Sequence, residues 1–218
     1  MAKCGGAACS EELSKVADYN EVISPLPYFG NVGFYARLLQ DDVLIDLHEN
    51  YVKQSLRNRC ELLSSQGRFS LSIPVSRPSG RKVKMGDIRI SYDEDWRSQH
   101  RKSVRSAYGS APFFLYYWDE ISALWDKQPE RLAAFNASAH DLICSAMGIV
   151  APLRYSDDYI RSSPGLDLRP NAKTGQLDNP RYIQVWEEEV GFESDLSILD
   201  LLFCKGPEAE GYLQDLAL

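Results

Sequence analysis

The first fifty residues constrain the fold of this chain more than any other stretch. Residues 19–25 contain the apolar pair Val22 and Ile23 and predict a strand, and a loop with prolines and a glycine follows. Apolar side chains at three- and four-residue spacing in residues 34–39 predict a helix, and residues 43–47 form a short apolar run. A strand, a helix and a second strand within about 30 residues indicate a βαβ unit with two parallel strands.

The rest of the sequence continues this mixed pattern. Apolar runs predict further strands at residues 68–75, 87–92, 149–155 and 182–186. Helical spacing predicts helices at residues 95–108, 113–125, 129–147 and 197–204, and a last one that ends near residue 216. Residues 163–180 are rich in Pro, Gly, Asn and Asp and predict a long loop. The predicted class is α/β, with a mainly parallel central sheet, flanking helices and a helical C-terminal part.

Length and composition predict one globular domain. The chain has 218 residues, of which 44% are hydrophobic and 25% charged, as is ordinary for such domains. We predict a loose leader over residues 1–17 and a single domain over residues 18–218. No apolar run reaches the roughly 18–20 residues that a membrane helix needs. Small residues precede Cys9, as in a lipoprotein signal, but the required apolar region of about 7–15 residues is missing.

The cysteines and the known short motifs exclude several site types. Five cysteines are scattered without a CxxC pair, and no Cys/His cluster has the spacing of a zinc site. This predicts reduced thiols in a cytoplasmic protein and no structural metal. The dinucleotide pattern GxGxxG, the phosphate loop GxxxxGK[ST], and the HExxH and GxSxG patterns are also missing. The sequence identifies no cofactor and gives no indication of oligomeric state.

Charge is distributed unevenly along the chain. The net charge is −7, yet residues 53–105 contain 13 Lys and Arg against 5 Asp and Glu, a local balance of +8. This segment therefore predicts a basic surface that meets a small phosphorylated or carboxylated ligand. The alternative is that its cations pair with the acidic remainder inside the fold. A long nucleic acid is a poor partner, because the whole chain is acidic and no nucleic-acid-binding motif occurs.

Residues 48–59 carry the densest functional chemistry and begin where the strand at 43–47 ends. Ligands of open parallel sheets bind beyond the carboxyl ends of the strands, so this position favours a site. His48 suits general acid–base work near neutral pH, and Lys53, Arg57 and Arg59 suit a phosphate or carboxylate. The other substrate-binding candidates of the segment are Glu49, Tyr51, Gln54 and Asn58. The alternative is a solvated polar loop.

Further candidates lie elsewhere in the chain. Tyr28 and Asn31, in the loop after the first strand, are expected at the same sheet edge as His48. His100 shares a helix face with Trp96, so it is either a catalytic residue or a half-buried one that bonds a backbone carbonyl. The turn that contains Tyr108 and Ser110 offers amides at the start of the next helix, although packing is an alternative role there.

Five blocks of the sequence resemble the bacterial WbqC-like family. They are residues 28–31 (YFGN), 48–59 (HENYVKQSLRNR), 96–100 (WRSQH), 106–114 (SAYGSAPFF) and 196–208 (LSILDLLFCKGPE). The resemblance spans about residues 20–213. It implies a bacterial protein whose relatives often lie among genes for surface-polysaccharide (O-antigen) assembly, with a group-transferase role. Many relatives have Gln-Pro-Tyr-x-Pro after the first strand, whereas residues 24–30 read SPLPYFG here, so the chain resembles a shorter branch.

Two functions of different classes follow. The first is a transferase for an anionic, phosphate- or nucleotide-bearing substrate, with His48 as acid or base and with His100 and Asp200 as supporting catalytic groups. The second is a non-catalytic binding or scaffold protein of a glycan-assembly complex. The second function predicts an exposed apolar patch near residues 113–118 instead of a cleft.

Overall fold

A parallel sheet forms the centre of the computed structural model, which describes residues 21–76, 82–162, 165–170, 177–216 and 218. Strands β1 (Glu21–Ser24) and β2 (Asp42–Ile45) lie in its middle. Strand β7 (Arg154–Tyr155) pairs with β2 and strand β8 (Leu166–Asp167) pairs with β1, and all neighbours are parallel. The predicted α/β class with a parallel central sheet is thereby confirmed.

Helix α1 (Val32–Gln40) makes the connection between the two central strands. Its N-cap is Asn31, whose side-chain oxygen accepts a hydrogen bond from the amide of Phe34 at 3.2 Å. Such a cap satisfies one of the amides that the first turn of a helix leaves unpaired. The apolar face of α1 is buried, as the spacing of its side chains predicts. The βαβ unit read from the first fifty residues is therefore present.

Two antiparallel ribbons lie outside the central sheet. Strands β3 (Arg59–Ser64) and β4 (Gly67–Ser72) form a hairpin, in which Gly67 has a φ of 97°, a left-handed value that favours glycine. The second ribbon pairs β5 (Val75–Ser76) with β6 (Arg89–Ile90). The expected strand at residues 68–75 is thus divided between two ribbons.

The remaining elements are mostly helical and enclose a continuous core. The helices are α2 (Trp96–Tyr108), α3 (Phe114–Leu124), α4 (Leu132–Met147), α5 (Glu187–Val190), α6 (Ile198–Lys205) and α7 (Ala209–Gln214), with 3-10 turns at Met85–Asp87 and Gly206–Glu208. Trp96, Phe135 and Phe203 are buried in one cluster with side chains of the sheet. None of the described helices is both long and apolar enough to cross a membrane.

Three expectations about elements need correction. Residues 182–186 form no strand, because their backbone leads into α5 and the side chains of Tyr182 and Gln184 turn inward to a buried carboxylate. Strand β3 was not predicted, because its polar start resembles the preceding loop. The expected loop at 163–180 contains β8, which completes the sheet. The predicted leader, residues 1–17, lies outside the described residues.

Candidate functional site

The carboxyl edge of the sheet brings together the loops that follow β1 and β2. Ser24 and Ile45 are register partners at the ends of these strands, and the amide of Asp46 donates to the carbonyl of Ser24 at 3.2 Å. The loops formed by residues 25–31 and 46–58 therefore start next to each other at this edge of the sheet. This is the edge at which open parallel sheets hold their ligands.

A buried ion pair between Glu49 and Arg57 holds the loop after β2. Nε of Arg57 donates to Oε1 of Glu49 at 2.7 Å, and a second, short bond joins Nη2 to Oε2. Two further donors of the guanidinium bond to Oγ of Ser55 at 3.1 Å and to the carbonyl of Arg169 at 3.2 Å. Burial raises the pKa of Glu49, while the hydrogen bonds and charge of Arg57 oppose that rise. Arg57 is thus fully buried and has a structural setting, unlike the exposed anion ligand that the sequence predicts.

A second guanidinium extends this network to strand β8. Arg169 bonds both oxygens of Asp167, at 2.9 and 2.7 Å, and also pairs with Oδ2 of Asp46. The other oxygen of Asp46 accepts from the amides of His48, at 2.8 Å, and Glu49, at 3.1 Å. Oγ of Ser156 and the amide of Ile160 also donate to Asp46, at 3.4 and 3.3 Å, so this fully buried carboxylate is stabilised by donors from three parts of the chain. The network fixes the backbone of His48 at the end of β2.

The residues after β2 pair with a distant segment and form an exposed ribbon. Residues 47–51 run antiparallel to residues 83–86, and the amide of Tyr51 donates to the carbonyl of Val83 at 2.9 Å. Burial alternates along it: Glu49 and Tyr51 are buried, whereas Asn50, Lys82 and Lys84 are exposed and His48 is half-buried. We call His48, Lys53, Lys82 and Lys84 the basic ribbon. None of these four side chains has a carboxylate partner in the part of the chain that the structure describes.

The contact between His48 and Lys84 favours one tautomer of a neutral imidazole. Nζ of Lys84 lies 3.5 Å from Nδ1 of His48. An ammonium group can only donate, so Nδ1 accepts and the ring proton is on Nε2. His48 therefore presents an N–H group on the side of the ring away from Lys84.

The other candidates of residues 48–59 separate into exposed and buried groups. Lys53 and Gln54 are exposed, and Gln54 has a φ of 56°. Asn58 is buried and donates to the carbonyl of Ile73 at 2.9 Å, which joins this loop to the start of the second ribbon. Arg59 begins β3 half-buried, and its Nε is buried without a hydrogen-bond partner among the described residues. Asn58 is thus structural, and Lys53 and Gln54 are accessible to a ligand.

His100 and Tyr28 meet in a closed aromatic network instead of at the sheet edge. Nε2 of His100 bonds the carbonyl of Ser72 at 3.2 Å, and its Nδ1 lies 3.0 Å from the hydroxyl of Tyr28. That hydroxyl also accepts from Nε1 of Trp125 at 2.9 Å. Burial lowers the pKa of His100 to about 4, so the ring is neutral near pH 7. The geometry favours the structural alternative for both residues.

Asp200 is the centre of a second closed network. Its two oxygens accept from the hydroxyls of Tyr108, at 2.7 Å, and Tyr182, at 2.5 Å, and Gln184 adds a third bond at 3.1 Å. Burial raises the pKa of Asp200, while these hydrogen bonds act in the opposite direction. Asp200 is fully buried, so it is not placed to meet a substrate. Ser110, by contrast, is exposed in the turn before α3.

Asn31 borders a cleft under the start of α1. Its Nδ2 donates to Oδ2 of Asp195 at 2.5 Å, and Oδ1 of Asp195 accepts from the amide of Gly33 at 2.9 Å. The cleft has a volume of about 230 Å³. Its walls are mainly apolar and include Pro27 and Leu56 as well as Ser24 at the end of β1. It therefore lies at the same sheet edge as the loop after β2.

The structure brings some predicted residues together and separates others. His48 and Lys53 belong to the exposed basic ribbon, Glu49 and Arg57 to the ion network beneath it, and Asn31 to the cleft. The His100–Tyr28 and Asp200–Tyr108 networks lie in the core. Sequence reasoning missed Lys82, Lys84, Asp46, Arg169 and Asp195. For the two lysines, the positive charge of the segment 53–105 was the available signal, whereas no local pattern marks the other three.

Neither a cluster of metal-ligating side chains nor an activated thiol occurs among the described residues. No group of three His, Cys, Asp or Glu side chains in these parts of the chain has the geometry of a metal site. Sγ of Cys144 lies 3.3 Å from Nε2 of His140, but burial raises the pKa of this thiol to about 11. Burial likewise raises the pKa of Cys60 and Cys204. These three thiols are therefore protonated near pH 7 and poor nucleophiles.

Comparisons with known proteins identify the family. The WbqC-like protein family matches residues 26–169, which is more than half of the chain and includes the basic ribbon and the ion network. Rv1507c of Mycobacterium tuberculosis, named as an uncharacterized protein, is 26% identical over 220 residues that cover 86% of this chain and 91% of that protein. No solved structure matches the chain. The chain belongs to the WbqC-like protein family.

Proposed function

We propose that this protein is a group transferase that binds a small anionic substrate, bearing a phosphate or a nucleotide, at the basic ribbon. The observation that carries the proposal is a set of cationic side chains without carboxylate partners in the described residues, next to the carboxyl edge of a parallel sheet. Four other cations in the described part of the segment 53–105 form ion pairs: Arg57, Arg68, Arg89 and Arg101 pair with Glu49, Glu193, Glu130 and Asp126. The lysines of the basic ribbon therefore retain a local positive potential that an anion can use.

His48 is the proposed acid–base group of this site. It is half-buried, and its Nε2–H is directed away from Lys84. The Nε2–H group can bond a phosphate oxygen, and the imidazolium form of the ring can protonate a leaving group, while a neighbouring ammonium stabilises the developing negative charge. The buried Glu49–Arg57 pair is a positioning device, since it holds the inner face of the ribbon whose outer face carries His48 and Lys84.

The resemblance to the WbqC-like family suggests the pathway in which such a transferase would act. The resemblance implies relatives among genes of surface-polysaccharide assembly, where activated sugars carry phosphates or nucleotides. A substrate of that kind matches the charge of the basic ribbon. We therefore propose a role in O-antigen or related polysaccharide biosynthesis, with transfer to or from a phosphorylated sugar.

The binding step can be tested by a ligand screen with matched charge variants. Thermal denaturation is measured with nucleotides, nucleotide sugars, acyl-coenzyme A and inorganic phosphate. A ligand that stabilises the natural chain should lose this effect in the Lys53→Gln/Lys84→Gln double variant. The control is Lys102→Gln/Lys127→Gln, which removes the same charge from exposed positions outside the basic ribbon. Equal losses in both double variants, or no loss in the first, would reject a specific site.

The catalytic step needs a separate variant. His48→Gln should keep most of the ligand affinity, while product formation in a mass-spectrometric assay falls about 10²- to 10⁴-fold, the usual effect of losing general acid–base catalysis. A variant that turns over at the natural rate would remove His48 from the mechanism. It would leave ligand binding by the lysines unaffected.

An exposed apolar pair on α3 favours the second candidate function, a scaffold in a glycan-assembly complex. Leu115 and Tyr116 are 82% and 78% exposed, at the position where the sequence predicts an apolar patch. Partners captured by the natural chain should be lost in Leu115→Glu/Tyr116→Glu and retained in His48→Ala if the scaffold role is the main one. Retention of all partners in the first variant would reject it.

A further inference from the structure

The cleft under α1 differs chemically from the basic ribbon. Six of its apolar wall residues come from three parts of the chain: Pro27, Phe34, Leu56, Leu166, Leu168 and Leu177. Its volume of about 230 Å³ is below the roughly 300–1,000 Å³ of sites for drug-sized ligands, so it suits a small molecule. Such walls bind an apolar body without hydrogen bonds to it.

The polar side chains of the cleft differ in how many of their hydrogen-bonding groups already have a partner. Asp195 is buried, and its oxygens accept from the amides of Gly33 and Leu177 and from Nδ2 of Asn31. The two donors at the start of α1, from Asn31 and Gly33, stabilise its charge, as helix N-termini do for anions. Nδ2 and Oδ1 of Asn31 serve Asp195 and the cap of α1. Neither residue is placed to be the main partner of a ligand.

Arg37 is the polar wall residue with spare donors. Its Nη1 pairs with Oδ2 of Asp41 at 3.1 Å, and its side chain is 22% exposed. A guanidinium has five N–H donors, and Nε and Nη2 of Arg37 have no partner among the described residues. Two parallel N–H groups of this kind match the two oxygens of a carboxylate.

We propose that the α1 cleft binds a small monocarboxylic acid with an apolar body, such as an aryl- or alkyl-propionic acid. The apolar part occupies the leucine and proline walls, and the carboxylate pairs with Arg37 at one side. This site takes a ligand without a phosphate, so it does not depend on the function proposed for the basic ribbon.

Titration calorimetry with 3-phenylpropionate, 3-phenylpropan-1-ol and acetate tests the two halves of the proposal separately. The acid should bind about 10- to 100-fold more tightly than the alcohol of the same shape, since the alcohol cannot make the charge-assisted pair. Acetate should not bind measurably, because it lacks the apolar body. Equal affinity of the acid and the alcohol would overturn the role of Arg37, and no binding of the acid would overturn the site.

Two variants at the same ion pair give a matched control. Arg37→Gln should reduce the affinity for 3-phenylpropionate to that for the alcohol. Asp41→Asn breaks the same pair but leaves the guanidinium, so it should leave the affinity unchanged or increase it. Equal losses in both variants would show that Arg37 acts only through Asp41 and would overturn the proposal.

The place of binding needs an independent readout. Methyl NMR signals of Leu56 and Leu168 should shift with 3-phenylpropionate, and Leu56→Trp, which fills the cleft, should abolish binding. Shifts confined to other methyl groups would refute this location. The Lys53→Gln/Lys84→Gln variant should bind the acid as the natural chain does, so failure at the basic ribbon and failure at the cleft are distinguishable.

Discussion

Removing Arg57 should destabilise the fold strongly and in a pH-dependent manner. The Arg57→Met change preserves much of the side-chain volume but leaves the carboxylate of Glu49 buried without its two bonds. Breaking a buried pair on one side costs about 3–5 kcal/mol. Since domains are stable by only about 5–15 kcal/mol, this loss is a large part of the total.

The pH dependence follows from the sign of the pKa shift. Burial already raises the pKa of Glu49 above its ordinary value, and loss of Arg57 removes the main opposing interactions. A buried carboxyl with a raised pKa favours the folded state most when it is protonated, so the cost of Arg57→Met should shrink as pH falls through that pKa. The Glu49→Gln change instead leaves a buried guanidinium, and its cost should not shrink at low pH.

Urea denaturation followed by circular dichroism at pH 8 and pH 5 measures these costs. The natural chain is measured at both values, so that other titrating groups cancel in the difference. A cost below about 1 kcal/mol for Arg57→Met, or a cost equal at the two pH values, would refute the reasoning. An Arg57→Met/Glu49→Gln double variant should be more stable than the sum of the two single changes predicts.

Two further predictions concern the aromatic network of the core. The pKa of His100 is about 4 in the folded state and near 6.5 when unfolded, so the unfolded chain binds the extra proton first as pH falls. His100 should therefore lower the free energy of unfolding by roughly 3 kcal/mol between pH 6.5 and 4. Denaturation of His100→Gln at several pH values should show a smaller loss of stability over this range. An equal loss in the variant and in the natural chain would contradict the prediction. Tyr28→Phe removes the hydroxyl that bonds His100 and Trp125, so it should lower the free energy of unfolding by about 1–3 kcal/mol. Tyr35→Phe is the control, because the hydroxyl of Tyr35 makes no hydrogen bond among the described residues. Its free energy of unfolding should be nearly that of the natural chain. Similar costs for the two tyrosines would show that the network contributes nothing.

The spacing of apolar residues along the sequence predicted the central strands of the sheet but little of its edge strands. The βαβ unit could be read from residues 19–47, because both strands and α1 have their own apolar periodicity. Strand β7 is the last two residues of the strand predicted at 149–155, whereas β8 spans two residues inside a predicted loop and pairs through the backbone, which no side-chain pattern signals. The position of His48 after β2 was predictable from the general rule for parallel sheets.

The partners of the predicted site residues were less accessible to sequence reasoning. In the sequence, Arg57 resembles an exposed anion ligand. In the structure it pairs with Glu49, eight residues earlier, and also donates to the carbonyl of Arg169. The Asp46–Arg169 contact spans 123 positions, so nothing local indicates it. His100 shows the opposite case. Its alternative setting, a buried ring bonded to a carbonyl, was predictable because it shares a helix face with Trp96.

The order of strands in the sheet has a consequence for the nascent chain. The first two strands of the described residues occupy the middle of the sheet, and their outer neighbours come from residues 154–155 and 166–167. Until residues 154–155 and 166–167 have left the ribosome, the βαβ unit has two open sides. We expect it to acquire stable amide protection only after the late strands emerge, so growing chains released before that point should be protease-sensitive throughout.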